Sequence, residues 1–412
     1  MEGGQFWPQP AFSRPLANPM IPAFRAHFNA AFTPQRYADF IARMEAQSGT
    51  PLAFRHSETP CFFPTPLIDA MARDGSDLIR QLTSPEYLAL ARQAVPPQFD
   101  VPNEPDHPLF LQVDFGLVRE PHGEIVPRLV EIQAFPSLYA YQPVLSQVYI
   151  DAYGLDPNLR YLLSGLDLAS YKALLGRAIL GGHDPENVIL MEIDPLHQKT
   201  LGDFVLTERM FGVRAVCVTQ IRRDGKRLYY ERDGRKIPIH RIYNRAIADE
   251  LQRRGIAPAF DLRDELDVEW AGHPNDYFRV SKFSIPYLRH PSVPQTWFLD
   301  QLHHIPQDTH NYVLKPLFSF AGLGVRIGPP REEILAIPAN RRRDYILQER
   351  VDFEPVIETP HGKTKAEIRI MYIWLDELLP VSLLVRMGRG AMMGVDHNKN
   401  LEWVGASAGL VE

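Results

Sequence analysis

The sequence predicts an α+β fold that contains a smaller α/β subdomain. Two features lead to this prediction: neighbouring strand-like segments that alternate apolar with polar residues, and one central section in which strand, helix and strand follow one another. The chain has 412 residues, of which 45% are hydrophobic and 23% are charged. These values are typical of globular proteins, and the length predicts two or three domains.

Charge and cysteine content exclude several classes of protein. Lysine and arginine total 44 against 50 acidic residues, a formal net charge of −6. This balance gives no reason to expect nucleic acid or an anionic membrane as a partner, and no run approaches the ~18 apolar residues of a membrane helix. Cys61 and Cys217 are too few for a disulfide framework or a zinc cluster, so a cytoplasmic location is expected.

The N-terminal part is expected to contain an arm and helices. Residues 1 to about 30 are rich in proline and aromatic residues and are expected to form an extended arm. A helix is predicted after Thr33, because threonine is a good N-cap and Pro34 suits the first helical position. A second helix is predicted after Ser84 for the same reason.

Two kinds of strand pattern follow. Segments 109–118 and 127–135 alternate apolar and polar residues, which predicts an antiparallel hairpin. The section from about 186 to 260 reads as a buried strand, a helix, a second strand, a hairpin around Asp233 and Gly234, and a final strand. This order predicts a βαβ unit with a small parallel sheet.

The segment 311–325 carries the clearest binding signal. A predicted strand in this segment carries Lys315 and is followed by a loop of small residues. The small residues of that loop are Ser319, Ala321, Gly322 and Gly324. A lysine beside backbone N–H groups that small side chains leave accessible can clamp a phosphate. Taken alone, the same pattern also suits a solvated lysine beside a hairpin turn.

Two later strands place polar residues where a ligand would need them. One becomes polar at Gln348 and Glu349, as a segment lining an adenine slot would. The next places Glu367 and Arg369 two residues apart, and therefore on one face. Among apolar neighbours such a pair is costly unless it faces a ligand or a partner charge. Lys282 supplies a second lysine upstream.

This order of residues resembles the nucleotide site of the ATP-grasp ligases. Lys282, the V-L-K-P segment with its glycine loop, the I-L-Q-E segment and the E-I-R segment follow one another as in that superfamily. The resemblance implies that the two lysines bind phosphates, that the Q-E segment binds adenine and that an acid holds the ribose. The residues expected to bind ATP are Lys282, Lys315, Ser319, Gly322, Gly324, Gln348, Glu349, Arg350, Val351 and Glu367.

The metal-binding part of the ATP-grasp pattern is expected near the front of the chain. Asp114 and, later, Glu131 and Gln133 resemble the D…E-I-N-x-x-S element of that superfamily. Alternation along a strand puts Glu131 and Gln133 on one side, where both would reach one Mg²⁺. This displaced order is similar to that of circularly permuted glutathione synthetases of the eukaryotic type and of glutathionylspermidine synthetases. It implies that ATP acts together with Mg²⁺.

The same resemblance implies three catalytic arginines. Arg245 stands where the family contacts the carboxylate of the peptide substrate, Arg386 stands where it contacts the carboxylate of the amine substrate, and Arg369 is the third. Gln112 replaces a family arginine, which argues against glutathione as the product. Ser319 replaces a metal-binding glutamate, which leaves open whether one or two metal ions bind.

The sequence is interpreted as four parts: an arm with helices (1–104), a permuted ATP-grasp segment with the metal site (105–160), a βαβ substrate domain (161–265), and ATP-grasp subdomains with the nucleotide site (266–412). The predicted function is an ATP- and Mg²⁺-dependent ligase that joins a small carboxylate to an amine or thiol through an acyl phosphate. An ATP-grasp phosphotransferase and a catalytically degenerate nucleotide-binding scaffold are the alternatives. The expected partners are the small-molecule carboxylate and amine, and a homodimer is left open.

Overall fold

The computed structural model describes residues 19–319, 322–398 and 400–412. The α-helices are α1 (Pro22–Ala31), α2 (Pro34–Ser48), α3 (Thr65–Gln81), α4 (Pro85–Ala91), α5 (Tyr141–Tyr153), α6 (Leu168–Leu180), α7 (Leu201–Phe211), α8 (Ala248–Arg253), α9 (Asp276–Arg279), α10 (Arg331–Leu335) and α11 (Val395–Asn398). Across these ranges no helix has the length and apolar character to span a membrane.

The strands form four sheets. They are β1 (Cys61–Phe63), β2 (Phe110–Arg119), β3 (Ile125–Gln133), β4 (Val188–Glu192), β5 (Arg214–Cys217), β6 (Arg222–Asp224), β7 (Arg227–Arg232), β8 (Arg235–Ile239), β9 (Arg241–Asn244), β10 (Glu269–Ala271), β11 (Thr296–Phe298), β12 (Tyr312–Pro316), β13 (Arg326–Ile327), β14 (Tyr345–Glu349), β15 (Lys365–Trp374), β16 (Leu378–Gly388) and β17 (Gly405–Val411). The mixed α+β character that the sequence predicts is therefore confirmed.

The largest sheet has six strands in the order β1-β17-β16-β15-β2-β3. The β1–β17 pair is parallel and all other neighbours in this sheet are antiparallel. β2 and β3 form the predicted hairpin, and β15 pairs along the other side of β2. The hairpin thus lies directly beside strands from the C-terminal part of the chain, and residues far apart in sequence become register partners.

The two faces of this sheet differ where β2 and β15 meet. Ile368 and Ile370 of β15 belong to a buried apolar core that also contains residues of α3. Glu367 and Arg369 alternate with them and therefore point to the opposite face. Charged residues of β2, β15 and β16 gather on that opposite face, which is where the candidate site lies.

The parallel sheet has the order β10-β9-β4-β5. Helix α7 connects β4 to β5, which confirms the predicted βαβ unit. Within β4, Val188 and Leu190 pack into one core and Ile189 and Met191 into another. Both faces of this strand are covered, and its continuous apolar sequence is what such burial requires.

Two smaller antiparallel sheets complete the fold. One has the order β11-β14-β12-β13 and carries Lys315 and Gln348. The other is the meander β6-β7-β8. Its last turn contains Asp233 and Gly234, with φ angles of 50° and 73°. Positive φ at both positions suits a tight hairpin turn, which confirms the hairpin predicted there.

The expectation of an extended arm is wrong from residue 22 onward, because α1 forms there; residues 1–18 lie outside the described part of the chain. Phe28 of α1 is buried, and the Arg25 guanidinium lies 5.1 Å from the ring centroid of Phe62. This tertiary packing stabilises a helix that local sequence did not reveal. The helix predicted after Thr33 is confirmed as α2. The Thr33 hydroxyl accepts a hydrogen bond from the Arg36 N–H at 3.3 Å.

Candidate functional site

Two lysines from different elements converge on Glu131 of β3. Lys282 opens the 3₁₀ helix Lys282–Tyr287, and its Nζ lies 2.7 Å from Glu131 Oε1. Lys315 lies on β12, and its Nζ donates to the carbonyl oxygen of Val130 at 3.0 Å. Both lysine side chains are buried. The structure therefore brings together the two lysines and the carboxylate that the sequence singled out.

An irregularity in β3 makes the second contact available. Asp114 pairs with Glu131 and Phe115 pairs with Leu129, so Val130 is an extra residue in a β-bulge. A bulge leaves its extra residue without a regular ladder partner. The Val130 carbonyl is consequently free to accept the Lys315 ammonium, which sets this lysine beside Glu131.

The electrostatics of Glu131 and Lys315 follow from this convergence. Burial alone would raise the pKa of Glu131, but the positive charges of Lys282, Lys315 and Arg369 lower it to about 2. Burial lowers the pKa of Lys315 to about 8, with Lys282 adding to the effect and Glu131 opposing it. Glu131 is thus ionised at neutral pH, and Lys315 is an ammonium whose charge is easily lost.

A second cluster surrounds Asp114 on the neighbouring strand. Arg369 makes a two-point contact with its carboxylate, Nε to Oδ1 at 2.6 Å and Nη2 to Oδ2 at 2.7 Å. Arg386 also contacts Asp114 Oδ2, and it forms a close ion pair with Glu367. Burial raises the pKa of Glu367, while Arg386 opposes that rise. The two guanidinium groups are therefore partly neutralised by the two carboxylates.

Gln133 and Gln112 extend this cluster along the same strands. The two residues are register partners, and Gln133 Nε2 donates to Gln112 Oε1 at 2.7 Å. Arg369 Nη1 donates to the same Gln112 oxygen at 2.8 Å. With its carboxamide turned over, Gln133 would present its oxygen to Arg369 at 3.0 Å. Glu131 and Gln133 lie two residues apart on β3, as predicted, but each is occupied by a different partner.

The predicted adenine segment, 348–351, begins at the end of β14, which pairs with β12 in the small sheet. Gln348 is 1% exposed, and its Nε2 has no hydrogen-bond partner among the described residues. The Glu349 N–H donates to the Gln295 carbonyl at 2.8 Å. Arg350 pairs with Asp352 at 2.8 Å, whereas Val351 packs against the Gly116 position of β2. Gln348 thus offers a buried donor that is free for a ligand, whereas Arg350 Nε lies 2.8 Å from Asp352 Oδ1.

The predicted phosphate loop begins at Ser319. The Ser319 carbonyl accepts the Lys282 ammonium at 2.7 Å, and its buried Oγ has no partner in the described ranges. Gly322 and Gly324 have φ angles of +74° and +76°, which glycine adopts without strain. Ala321, another residue of the predicted loop, lies outside the described residues.

Arg245 lies apart from Arg369 and Arg386, after the end of β9. It is buried, its Nη1 donates to the Pro136 carbonyl, and its guanidinium lies 4.8 Å from the Phe135 ring centroid. Its Nε has no partner among the residues that the structure describes. Because Phe135 and Pro136 follow β3 directly, Arg245 still borders the segment that carries Glu131.

Glu192 is a further acidic residue near Arg245 that the sequence motifs did not predict. It ends β4, is buried, and has its pKa raised to about 7 by burial despite the nearby charge of Arg245. Ligands of open parallel sheets bind outside the carboxyl ends of the strands. An acidic residue that ends a buried strand was therefore a usable signal, and the strand itself was recognised.

The oxygen atoms here fit Mg²⁺ in part. Glu131, with a side chain 28% exposed, and Ser319, with an unpartnered hydroxyl and a carbonyl, offer the hard oxygen donors that Mg²⁺ prefers. Both oxygens of Asp114 are taken by guanidinium groups. Within the described ranges no cluster of three or more His, Cys, Asp or Glu is placed to hold a metal ion. Glu131 and Ser319 thus have donors suited to the ion, and the Lys282 ammonium holds Glu131 Oε1 and the Ser319 carbonyl at 2.7 Å each.

Comparisons with known proteins bear on the fold. No protein-family model matches the sequence, and no curated protein matches it significantly. Among solved structures, a glutathione synthetase-like effector from Globodera pallida, determined in its apo form, matches with a TM-score of 0.58. The match covers 92% of this chain and 96% of the other, at 12% sequence identity. The chain therefore has a fold similar to that of a glutathione synthetase-like protein.

Proposed function

We propose that this protein is an ATP-dependent ligase that joins a small carboxylate to an amine through an acyl phosphate. In the proposed reaction a carboxylate oxygen attacks the γ-phosphorus of ATP, which gives the acyl phosphate and ADP. The amine nitrogen then attacks the acyl carbon, phosphate leaves, and the nitrogen loses a proton as the amide forms. The protein would mainly position the reactants and hold the phosphate charge.

The observation that carries this proposal is the convergence of Lys282 and Lys315 on Glu131. Buried ammonium groups stabilise the charge of transferring phosphoryl groups more strongly than exposed ones, since water screens them less. The two lysines come from different elements and meet at the same strand. A solvated lysine beside a hairpin turn would show neither burial nor this convergence.

A second feature supports a nucleotide as the phosphate-bearing ligand. Val313 pairs with Gln348 and Lys315 pairs with Ile346 on adjacent strands, so the side chains of Lys315 and Gln348 share a face of the small sheet. The unpartnered buried Nε2 of Gln348 requires an acceptor. A ring nitrogen of adenine provides one, and we propose that the base binds there with its phosphates toward Lys315.

Mg²⁺ is proposed to accompany ATP, with Glu131 and Ser319 as its protein contacts. When bound, Mg²⁺ would neutralise phosphate charge and polarise the γ-phosphoryl group. Asp114, held by Arg369 and Arg386, is then proposed to fix these two arginines in position.

The carboxylate substrate is proposed to lie between Arg245 and the end of β3. The unpartnered Nε of Arg245 supports an anionic group nearby. The amine substrate is proposed to lie toward Arg386, whose buried Nε is likewise without a partner in the described part of the chain. Asp114 and Glu367 already neutralise Arg386, and this weakens its attraction for a carboxylate on the amine substrate.

The test is the melting temperature with and without Mg²⁺ and a non-hydrolysable ATP analogue. Ligand at ~100 times its dissociation constant should stabilise the wild type by about 2.7 kcal/mol, or ~2–4 °C. Lys315→Ala should lose this shift. Lys363→Ala is the matched control, because Lys363 forms an exposed ion pair with Glu358 at 3.1 Å and should keep the shift.

Further assays separate the alternatives. ADP release from ATP that requires both a carboxylate and an amine supports the ligase. Release with a single acceptor and no amine would identify a phosphotransferase instead. A nucleotide-dependent shift without any turnover would favour the scaffold, and no shift at saturating nucleotide would refute the nucleotide site.

A further inference from the structure

The Lys282 ammonium lies between two oxygen atoms, one on a strand of the six-stranded sheet and one in the loop after β12. Its Nζ is 2.7 Å from Glu131 Oε1 on β3 and 2.7 Å from the carbonyl oxygen of Ser319, which follows β12. The Lys282 side chain is only 7% exposed. One buried ammonium thus links the six-stranded sheet to the loop after β12.

These contacts have the chemistry of a cation position. A carboxylate oxygen and a backbone carbonyl are hard donors of the kind that bind divalent ions, and the buried Ser319 hydroxyl nearby has no partner among the described residues. The Lys282 ammonium provides the positive charge that these oxygens require. A divalent ion bound between Glu131 Oε1 and the Ser319 carbonyl would take the place of this ammonium.

We propose that Lys282 and a divalent cation are alternative occupants of this position, so that the lysine holds the site closed against metal in the absence of ligand. This inference rests on the proposed function only in taking the phosphate-bearing ligand to be ATP. When phosphates bind, they offer Lys282 a new anionic partner, the ammonium leaves Glu131, and the carboxylate becomes available to the metal.

Metal and nucleotide binding are consequently coupled through one side chain. An ion that binds Glu131 displaces Lys282 toward the phosphates, and phosphates that attract Lys282 expose Glu131. Such coupling is reciprocal, because each ligand must change the affinity of the other by the same factor. Lys315 does not substitute for Lys282 here, since its ammonium is held by the Val130 carbonyl.

The test measures Mn²⁺ binding alone, by calorimetry or by the electron paramagnetic resonance of free Mn²⁺. Lys282→Met should bind one Mn²⁺ at least about tenfold more tightly than the wild type, because Glu131 loses its competing cation. Glu131→Gln combined with Lys282→Met should lose the gain. Lys226→Met is the matched control: Lys226 pairs with Glu265 at 3.0 Å, but both side chains are exposed, so Mn²⁺ affinity should not change.

Equal Mn²⁺ affinity in a folded Lys282→Met and in the wild type would overturn the proposal, as would a gain that survives Glu131→Gln. Lys282→Gln serves if the methionine variant does not fold, because it removes the charge and keeps a donor for the Ser319 carbonyl. Titration of the non-hydrolysable ATP analogue is read separately. Absence of nucleotide binding with a normal Mn²⁺ gain contradicts the proposed function alone, and nucleotide binding without that gain contradicts this inference alone.

Discussion

Arg369 and Asp114 are direct register partners on β15 and β2 and form a buried two-point ion pair, although 255 residues separate them in sequence. Arg386 from β16 contacts the same carboxylate. Three strands are thus joined through one acidic side chain. This contact fixes the hairpin β2–β3, and with it Glu131, against the C-terminal strands.

Asp114→Asn should therefore destabilise the fold. Removing the carboxylate leaves Arg369 buried without its counter-charge, which typically costs about 3–5 kcal/mol. Urea unfolding measures the change. Asp39→Asn is the control, since Asp39 pairs with Arg43 at 2.8 Å on an exposed face of α2; it should change stability by about 0.5 kcal/mol or less. Equal stability of both variants would show that the buried pair contributes little.

Glu131→Ala should abolish Mg²⁺-dependent ATP turnover without unfolding the chain. The Lys282 ammonium contacts this carboxylate and the charge of Lys315 acts on it, and its loss removes the proposed metal contact. Turnover is measured as ADP release, and folding by the melting curve. Glu354→Ala removes the acid of the Arg119–Glu354 surface pair at 2.8 Å and should stay active. An active Glu131→Ala would remove the central residue from the proposal.

Nucleotide affinity should fall as pH rises through about 8. Burial lowers the pKa of Lys315 to about 8 from 10.5, so the free protein loses this ammonium within the range where an ordinary lysine keeps it. Lys315→Arg retains its charge and should bind the ATP analogue with little change between about pH 7 and 9.5. Calorimetric titration across this range is the measurement, and parallel profiles for both proteins would contradict the assignment.

The same shift affects stability with a defined sign. Between about pH 8 and 10.5 the folded state binds fewer protons at Lys315 than the unfolded state does. Stability therefore rises with pH in this window, relative to Lys315→Met, which lacks the titrating group. Thermal unfolding of the two proteins at several pH values provides the comparison.

Gln348→Leu should separate recognition of the base from recognition of the phosphates. The leucine removes a buried donor that has no partner in the described part of the chain, so the free protein should be as stable as the wild type or more stable. Affinity for the ATP analogue should fall about tenfold, the loss expected for one hydrogen bond of ~1.4 kcal/mol. Affinity for inorganic triphosphate should not change; an equal loss for both ligands would place Gln348 outside the base site.

The elements that could be predicted from the sequence are those with a strong local pattern. The β2–β3 hairpin shows alternation, and β4 shows a continuous apolar run followed by helix α7. The helix after Thr33 has a recognisable N-cap. Helix α1 could not be predicted in this way, since its stability depends on packing against Phe62. Helices α3, α5 and α6 were also not identified.

The candidate site divides in a similar way. Residue type and spacing singled out Lys315, and the resemblance to the ATP-grasp ligases singled out Lys282 and Glu131; the structure brings the three together. Neither the spacing nor the resemblance was enough to show that Lys282 contacts Glu131 directly. Glu192 could not be predicted in this way, because its raised pKa depends on burial at the end of a strand and not on any motif.

The sequence by itself determined the strands and helices that have a strong local pattern, such as the β2–β3 hairpin, and which charged residues alternate with apolar ones. Such information is local, because side chains alternate with the period of their own strand or helix. Only the tertiary structure decided which charges meet. The pairing of β15 with β2 brings Arg369 into contact with Asp114. The bulge at Val130 leaves its carbonyl free to accept a hydrogen bond from Lys315. Strand order and register set these contacts, and they depend on packing across the whole sheet.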